Sequence, residues 1–275
     1  WDGQRLARLY EDAYTPWEWF PELFLLARRL GLVPSASVFD VGALTFLEEI
    51  GCPIYKIASF EITDLRLIRA VASTHKHLVI STGMADKYEI QQAIDATAGC
   101  GKLTLLKCTS AYPADCSDSN LHAMNMLQRV YQEHVGLSDH TPGIAAAVVA
   151  SAMGATMIEK HLTLRRADGG PDSAFSMEPE EFKALVVGCR QATAVMGKSE
   201  IGPTKAEEPQ LALRRSLYFL HDMEPGQVIE SMDLVTARPA IGLSPHRLDS
   251  LVGKVLARPV VKGEPVTDEA FIYTK

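Results

Sequence analysis

Two histidines in this sequence follow short apolar runs, His140 in GLSDHTPG and His161 in IEKHLTL. Each reads as the end of a predicted β-strand in consecutive strand–helix units, and adjacent parallel strands lie about 4.8 Å apart. Imidazoles placed so can share one divalent ion. Imidazole suits zinc or a borderline ion, and the carboxylates Glu61 and Asp139, either of which can join the shell or position water, suit manganese or magnesium. The alternative is a pair of strand-end histidines bonded to backbone, and two ligands without a third leave both readings open. A second set is cationic. Lys56, Lys107 and Lys160 fall on or near strand ends, beside the hydroxyls of Ser59, Thr82, Thr109, Ser110 and Ser138. Converging on one mouth, they would bind an anion such as phosphate, helped by loop and helix-start N–H groups. Taken singly, each lysine reads as well as a solvated strand end. The loop RRADGGPDSAF, Arg165 to Phe175, can close over a ligand or be an ordinary surface turn. The aromatic run YTPWEWF can form a sugar-binding rim or simply pack, and packing is favoured.

The elements that must position these groups form a repeating strand–helix rhythm over about residues 20–200. Predicted strands are SASVFD, YKIAS, HLVIST, KLTLLKCTS, VGLSD and TMIEKHLT. Predicted helices between and around them are PELFLLARRLGL, ALTFLEEIG, DLRLIRAVAST with Asp64 as N-cap, DKYEIQQAIDATAG, LHAMNMLQRVYQE, GIAAAVVASAMG and EPEEFKALVVGCRQATAVMG. Short apolar strands alternating with helices indicate a parallel sheet covered on both faces, either a barrel or a doubly wound sheet. No GxGxxG turn follows the first strand, which disfavours a dinucleotide fold. The polar residues gather at strand C-terminal ends, where barrel active sites lie. Residues 198–213 read as a polar, Pro- and Gly-containing linker. The remainder, residues 214–275, changes to short strands and tight turns such as MEPGQVI and VKGEPV, a small β-rich domain with HRLDSLVG as its evident helix.

Composition bounds the partners. The 275 residues are 47% hydrophobic and 22% charged, with a formal net charge of -7, so nucleic acid is a poor partner. The 5 cysteines form no CxxC pair, and an odd count fits a reducing cytoplasm. No long charge-free apolar segment offers a membrane span, and the acid- and aromatic-interrupted start is no signal peptide.

Taken together, KIASFEITD, STGM, LLKCTSAYP, GLSDHTPG, IEKHLTL and the DGGPD loop resemble the sialic acid synthase family, and the last 60 or so residues resemble its antifreeze-like, or SAF, domain. The resemblance covers nearly the whole chain. It implies a (β/α)8 TIM barrel over residues 1–197, the linker 198–213, and a SAF domain over 214–275. The implied reaction condenses phosphoenolpyruvate with an N-acetylated amino sugar to a nine-carbon 2-keto acid. The implied cofactor is a divalent metal, Mn2+ first with Mg2+ or Co2+ as alternatives, held by His140 and His161. The resemblance places Glu61 near the reacting carbons as a catalytic carboxylate alongside the two histidines. It assigns Ser37, Lys56, Ser59, Ser110 and Ser138 to phosphoenolpyruvate, and Tyr112, Asp172 and Arg238 to the sugar. Arg238 would reach the partner's site in a swapped homodimer. Ser110 stands where sialic acid synthases carry asparagine, which points to the pseudaminic branch and a 2,4-diacetamido-2,4,6-trideoxy sugar. N-acetylmannosamine as substrate, or a catalytically inactive sugar-binding scaffold, are the alternatives. In SVFD, Ser37 keeps the family hydroxyl while Val38 replaces proline. Against the family pattern, the first two barrel strands are expected to be absent from this chain, because residue 1 falls in the loop after the second, and six strands do not close an eight-stranded barrel.

Overall fold

The computed structural model describes residue 11 and residues 13–272; residues 1–10, on which most of the signal-peptide reading rests, lie outside them. The chain divides into two compact units, Trp1–Gly197 and Lys198–Lys275.

The first unit is built on a 6-stranded parallel sheet in sequential order. Its strands are β1 (Ala36–Ser37), β2 (Ile54–Ile57), β3 (His77–Ser81), β4 (Lys102–Cys108), β5 (His134–Asp139) and β6 (Ile158–Lys160). Helices alternate with them: α1 (Phe20–Arg29), α2 (Val41–Glu49), α3 (Leu65–Ala72), α4 (Lys87–Ala96), α5 (His122–Tyr131), α6 (Ala145–Ala152) and α7 (Pro179–Met196). Every neighbouring pair is parallel. The result is a curled half-barrel wrapped by helices, a partial TIM barrel. Six predicted strands are present, several shorter than their apolar runs.

The helices start where the sequence supplies caps. Asp40 accepts from the Ala43 amide at 2.7 Å, and Asp64 accepts from Arg66 and Leu67. Asp86 with Glu89 and Glu178 with Glu181 form capping boxes, the second followed by Pro179 at the first turn. In α6 the small residues of AAAVVASA allow close packing against α7, where a Cβ on Gly188 would stand 2.9 Å from Val148.

Strand alternation then sorts side chains into two faces. Tyr55, Ile57, Leu78, Ile80, Leu103, Leu105, Val135 and Leu137 share the helix-facing side and form the core, all of them buried. The register pairs Lys56 with Val79, Val79 with Thr104, and Ser138 with Glu159 on the opposite, concave face. That parity decides which polar groups can meet.

The second unit pairs β7 (Ser216–Phe219) antiparallel with β8 (Leu234–Ala237) and adds isolated bridges and the short α8 (Leu248–Leu251). Its core includes Leu217, Phe219, Ile229, Leu251, Leu256 and Val266. Gly242 is required where a Cβ would meet the carbonyls of Leu217 at 2.8 Å and Val266 at 2.9 Å. The segment read as linker ends in a 3-10 helix, Glu208–Leu213. No helix among the described residues is long and apolar enough to cross a membrane.

Candidate active site

Residues at and just beyond the strand ends line one cavity of about 320 Å³: Ser37, Lys56, Ala58, Ser59, Ser81, Cys108, Tyr112, Ser138, His140, Glu159 and His161, with Lys160, whose ammonium turns the other way, at its wall. Ser138 in β5 and His140 just past its end are alternate positions, as are Glu159 in β6 and His161 just past its end. The pairing of Ser138 with Glu159 and this alternation bring four functional side chains to the same side.

The two imidazoles meet edge to face, ring centroids 5.2 Å apart. Tyr112 packs over His140 at 4.3 Å, and Phe175, carried by the loop after β6, packs on His161 at 5.1 Å. His140 Nδ1 lies 3.0 Å from the Thr109 carbonyl, an arrangement in which Nδ1–H donates and the Nε2 lone pair is left for a ligand. His161 Nδ1 faces Asp172 at 3.5 Å. Metal-binding histidines carry such partners on the second nitrogen, so the pair fits a divalent ion. Among the described residues no group of three or more His, Cys, Asp or Glu side chains is arranged to hold a metal ion. The further carboxylate ligand considered from sequence is not supplied by Asp139. Its odd parity turns it to the helix-facing side, where it pairs with Lys160 at 2.7 Å. The rest of such a shell would be oxygens of water and substrate.

Burial pushes His161 below the ordinary imidazole range, and the charge of His140 adds to this. For His140 burial acts downward too, but hydrogen bonds with Cys108 and the Thr109 carbonyl, and the negative charge of Cys108 and Glu159, carry it above the ordinary value. Burial raises the Cys108 thiol, yet hydrogen bonds from His140, Ser59 and Ser110 and the His140 charge bring it down to about 7.

The anion cradle differs from the three-lysine picture. Lys56 alone of the three turns its ammonium to the cavity, 3.5 Å from Glu159, whose carboxylate also accepts from Ser138 Oγ at 2.7 Å. Lys107 lies on the other face and donates to the Cys108 carbonyl and Thr109 Oγ1. Lys160 is spent on Asp139 and the Thr141 carbonyl. Hydroxyls complete the cradle. Ser59 Oγ accepts from the Gly83 amide at 3.1 Å, and a Cβ on Gly83 would collide with Ser110 Oγ, which explains the glycine in STGM. Ser110 stands 3.6 Å from Cys108 Sγ.

Glu61 and Asp172 line a second, larger cavity of about 810 Å³ that shares Ser37 with the first. Its walls include Tyr14, Trp17, Phe20, Phe39 and Phe46. The aromatic run thus both packs, Trp17 stacking on Phe46 at 4.9 Å, and lines a cavity. Glu61 Oε2 is buried without a partner, and burial raises its carboxyl above the usual range against the opposing charge of Lys56. Arg238 lies in the second unit, just after β8. Sequence reasoning missed Glu159 and the thiol of Cys108 as site groups. The alternation Ser138–His140 and Glu159–His161 was the signal available for the first.

A family model described as the NeuB family matches residues 1–201, and one described as the SAF domain matches residues 214–272. The pseudaminic acid synthase of Helicobacter pylori is 40% identical over 271 residues, covering 97% of this chain and 79% of that protein. The N,N'-diacetyllegionaminic acid synthase of Legionella pneumophila is 41% identical over 239 residues, covering 84% and 67%. The crystal structure of an N-acetylneuraminic acid synthetase from Leptospira borgpetersenii, in complex with citrate, superposes with a TM-score of 0.71 at 32% identity over 76% of this chain and 75% of that one.

Proposed function

The chain belongs to the NeuB family of phosphoenolpyruvate-dependent sugar-acid synthases, and from that premise we propose that it makes pseudaminic acid from phosphoenolpyruvate and 2,4-diacetamido-2,4,6-trideoxy-L-altrose. The observation that carries the reading is one cavity holding Lys56, Ser59 and Ser138 beside the paired rings of His140 and His161. The pseudaminic acid synthase of H. pylori, similar over 97% of this chain, and Ser110 in the LLKCTSAYP segment both support that choice of sugar.

In this reading Lys56, with Ser37, Ser59, Ser110 and Ser138, binds the substrate's phosphate and carboxylate. Lys56 supplies the charge and the hydroxyls supply oriented donors. His140 and His161 would hold a divalent ion, Mn2+ in the first instance, which supplies Lewis-acid polarisation of the sugar aldehyde. Carbon 3 of phosphoenolpyruvate bonds to the aldehyde carbon, and the aldehyde oxygen takes a proton. Water adds to carbon 2 with loss of a proton, and the carbon–oxygen bond to phosphate then breaks, leaving the 2-keto acid and inorganic phosphate. Glu61, its carboxyl raised by burial, is the candidate for holding or moving a proton here. Asp172 and Tyr112 contact the sugar, and Arg238 reaches it from the partner of a swapped homodimer. We place the enzyme in the cytoplasm, beside its phosphoenolpyruvate supply.

The test is phosphate release from phosphoenolpyruvate with Mn2+ and each of two sugars. Release with the diacetamido-trideoxy sugar and little with N-acetylmannosamine supports the reading. The reverse preference would assign the neuraminic reaction. Binding of sugar without release from either would leave a scaffold.

A further inference from the structure

The most deeply buried ion pair at the site joins the two residues that precede the histidines, with Lys160 also reaching the cavity wall. Asp139 and Lys160 are register partners on β5 and β6, their side chains each 2% exposed. Each immediately precedes one of the two histidines in sequence. By strand alternation they project to the helix-facing side while His140 and His161 project to the cavity. Removing two charges from water costs several kcal/mol per ion unless further hydrogen bonds compensate. They are present here: Asp139 Oδ1 accepts from the Thr141 amide at 2.9 Å and from Thr141 Oγ1 at 2.8 Å, Oδ2 meets Lys160 Nζ at 2.7 Å, and Lys160 also donates to the Thr141 carbonyl. The carboxylate thus folds residues 139–141 into a tight turn about His140, and the ammonium staples that turn to the residue before His161. From the other side, the His140 ring is held by the Thr109 carbonyl and its own carbonyl by the Ala114 amide, while the His161 carbonyl is held by the Met177 amide. An apolar pair at 139 and 160 would fill the core as well but would leave the turn free to slide.

We propose that Asp139 and Lys160 are positioning residues, a clamp on the rear of the sheet that sets the separation and orientation of the two imidazoles. The inference rests on His140 and His161 acting as the metal pair, and it is tested by two readouts. One is Mn2+ binding to the full chain by titration. The other is the ring-nitrogen NMR signals of His140 and His161, assigned with His140→Asn and His161→Asn. The variant Asp139→Asn/Lys160→Met removes both charges together and so strands neither. It is expected to weaken Mn2+ binding about tenfold to a hundredfold, the range for groups that orient metal ligands, and to shift or broaden both ring signals. Thr141→Val, which keeps both charges, is expected to give a smaller change in the same direction and serves if the double variant does not fold. Glu48→Gln/Lys76→Met loosens an ion pair away from the site, between α2 and the residue before β3, and is expected to leave both rings unmoved. If Mn2+ binds the unsubstituted chain and the clamp variants match it in affinity and in both ring signals, the clamp is overturned. It is equally overturned if the Glu48/Lys76 control moves the rings as much. If no form binds Mn2+ but the clamp variants still displace the ring signals, the metal reading falls and the clamp stands.

Discussion

At the scale of single residues, the account depends on which groups face the cavity. His140→Ala and His161→Ala should each lose measurable Mn2+ binding and turnover while remaining folded by circular dichroism, since each deletes a group at a strand end rather than in the core. Retained turnover in either would count against the assigned pair. Lys56→Met should raise the KM for phosphoenolpyruvate about tenfold to a hundredfold, the worth of one charge-assisted hydrogen bond, whereas Lys107→Met should change that KM little because its ammonium is bonded on the opposite face. Steady-state kinetics on the two variants separates them. Glu61→Gln should lower kcat by about 10²–10⁴ with little change in KM if the buried carboxyl handles a proton; an unchanged kcat would remove it from the chemistry. That the two histidines and Lys56 lie near strand ends was legible in the sequence, because the histidines follow apolar runs directly and Lys56 sits one residue before the end of β2. Which of the three lysines turns inward was a question of parity, and parity needs the strand register that only the paired sheet supplies.

At the scale of elements, the strands and caps that present the site were readable, and their exact lengths were not. Asp64 sits where an N-cap was expected, and its carboxylate does accept two amides of α3. The SASVFD run, by contrast, is strand only at Ala36–Ser37, and beyond them a single bond, from the Val38 amide to the Lys56 carbonyl at 2.9 Å, ties it to β2. Removing a core side chain from the middle of β4 should be costly. Leu105→Ala, 1% exposed, should destabilise the first unit by about 2–5 kcal/mol in denaturant titration. The α2–β2–β3 corner carries a pH signature. Burial raises the Glu48 carboxyl, but hydrogen bonds from Lys76 and Tyr55 outweigh it and hold the group below its ordinary value. A carboxyl depressed in the folded state stabilises above its unfolded pKa, and that contribution is lost as pH falls through the folded value. The midpoint of thermal unfolding should therefore fall as pH drops below about 4.5, and Glu48→Gln should flatten that fall. An identical slope in the variant would deny the corner its role.

At the scale of the whole molecule, two units of different architecture are joined in one chain, a helix-wrapped half-barrel and a SAF domain. The change of character was plain in the sequence, from apolar strand–helix repeats to short strands around MEPGQVI and VKGEPV. The two additional strands that an eight-stranded barrel requires are not among the described residues. Arg238 links the units functionally in the proposed swapped dimer. Arg238→Ala should raise the sugar KM and leave the phosphoenolpyruvate KM unchanged, and an unaltered sugar KM would detach the SAF domain from the site. The central claim is that one cavity brings a divalent ion and phosphoenolpyruvate together, and crystals grown with both test it most directly through the manganese anomalous signal. The account predicts one strong peak between the His140 and His161 rings, with the phosphate on Lys56, Ser59 and Ser138. A peak elsewhere, or a phosphate bound away from Lys56, would contradict it.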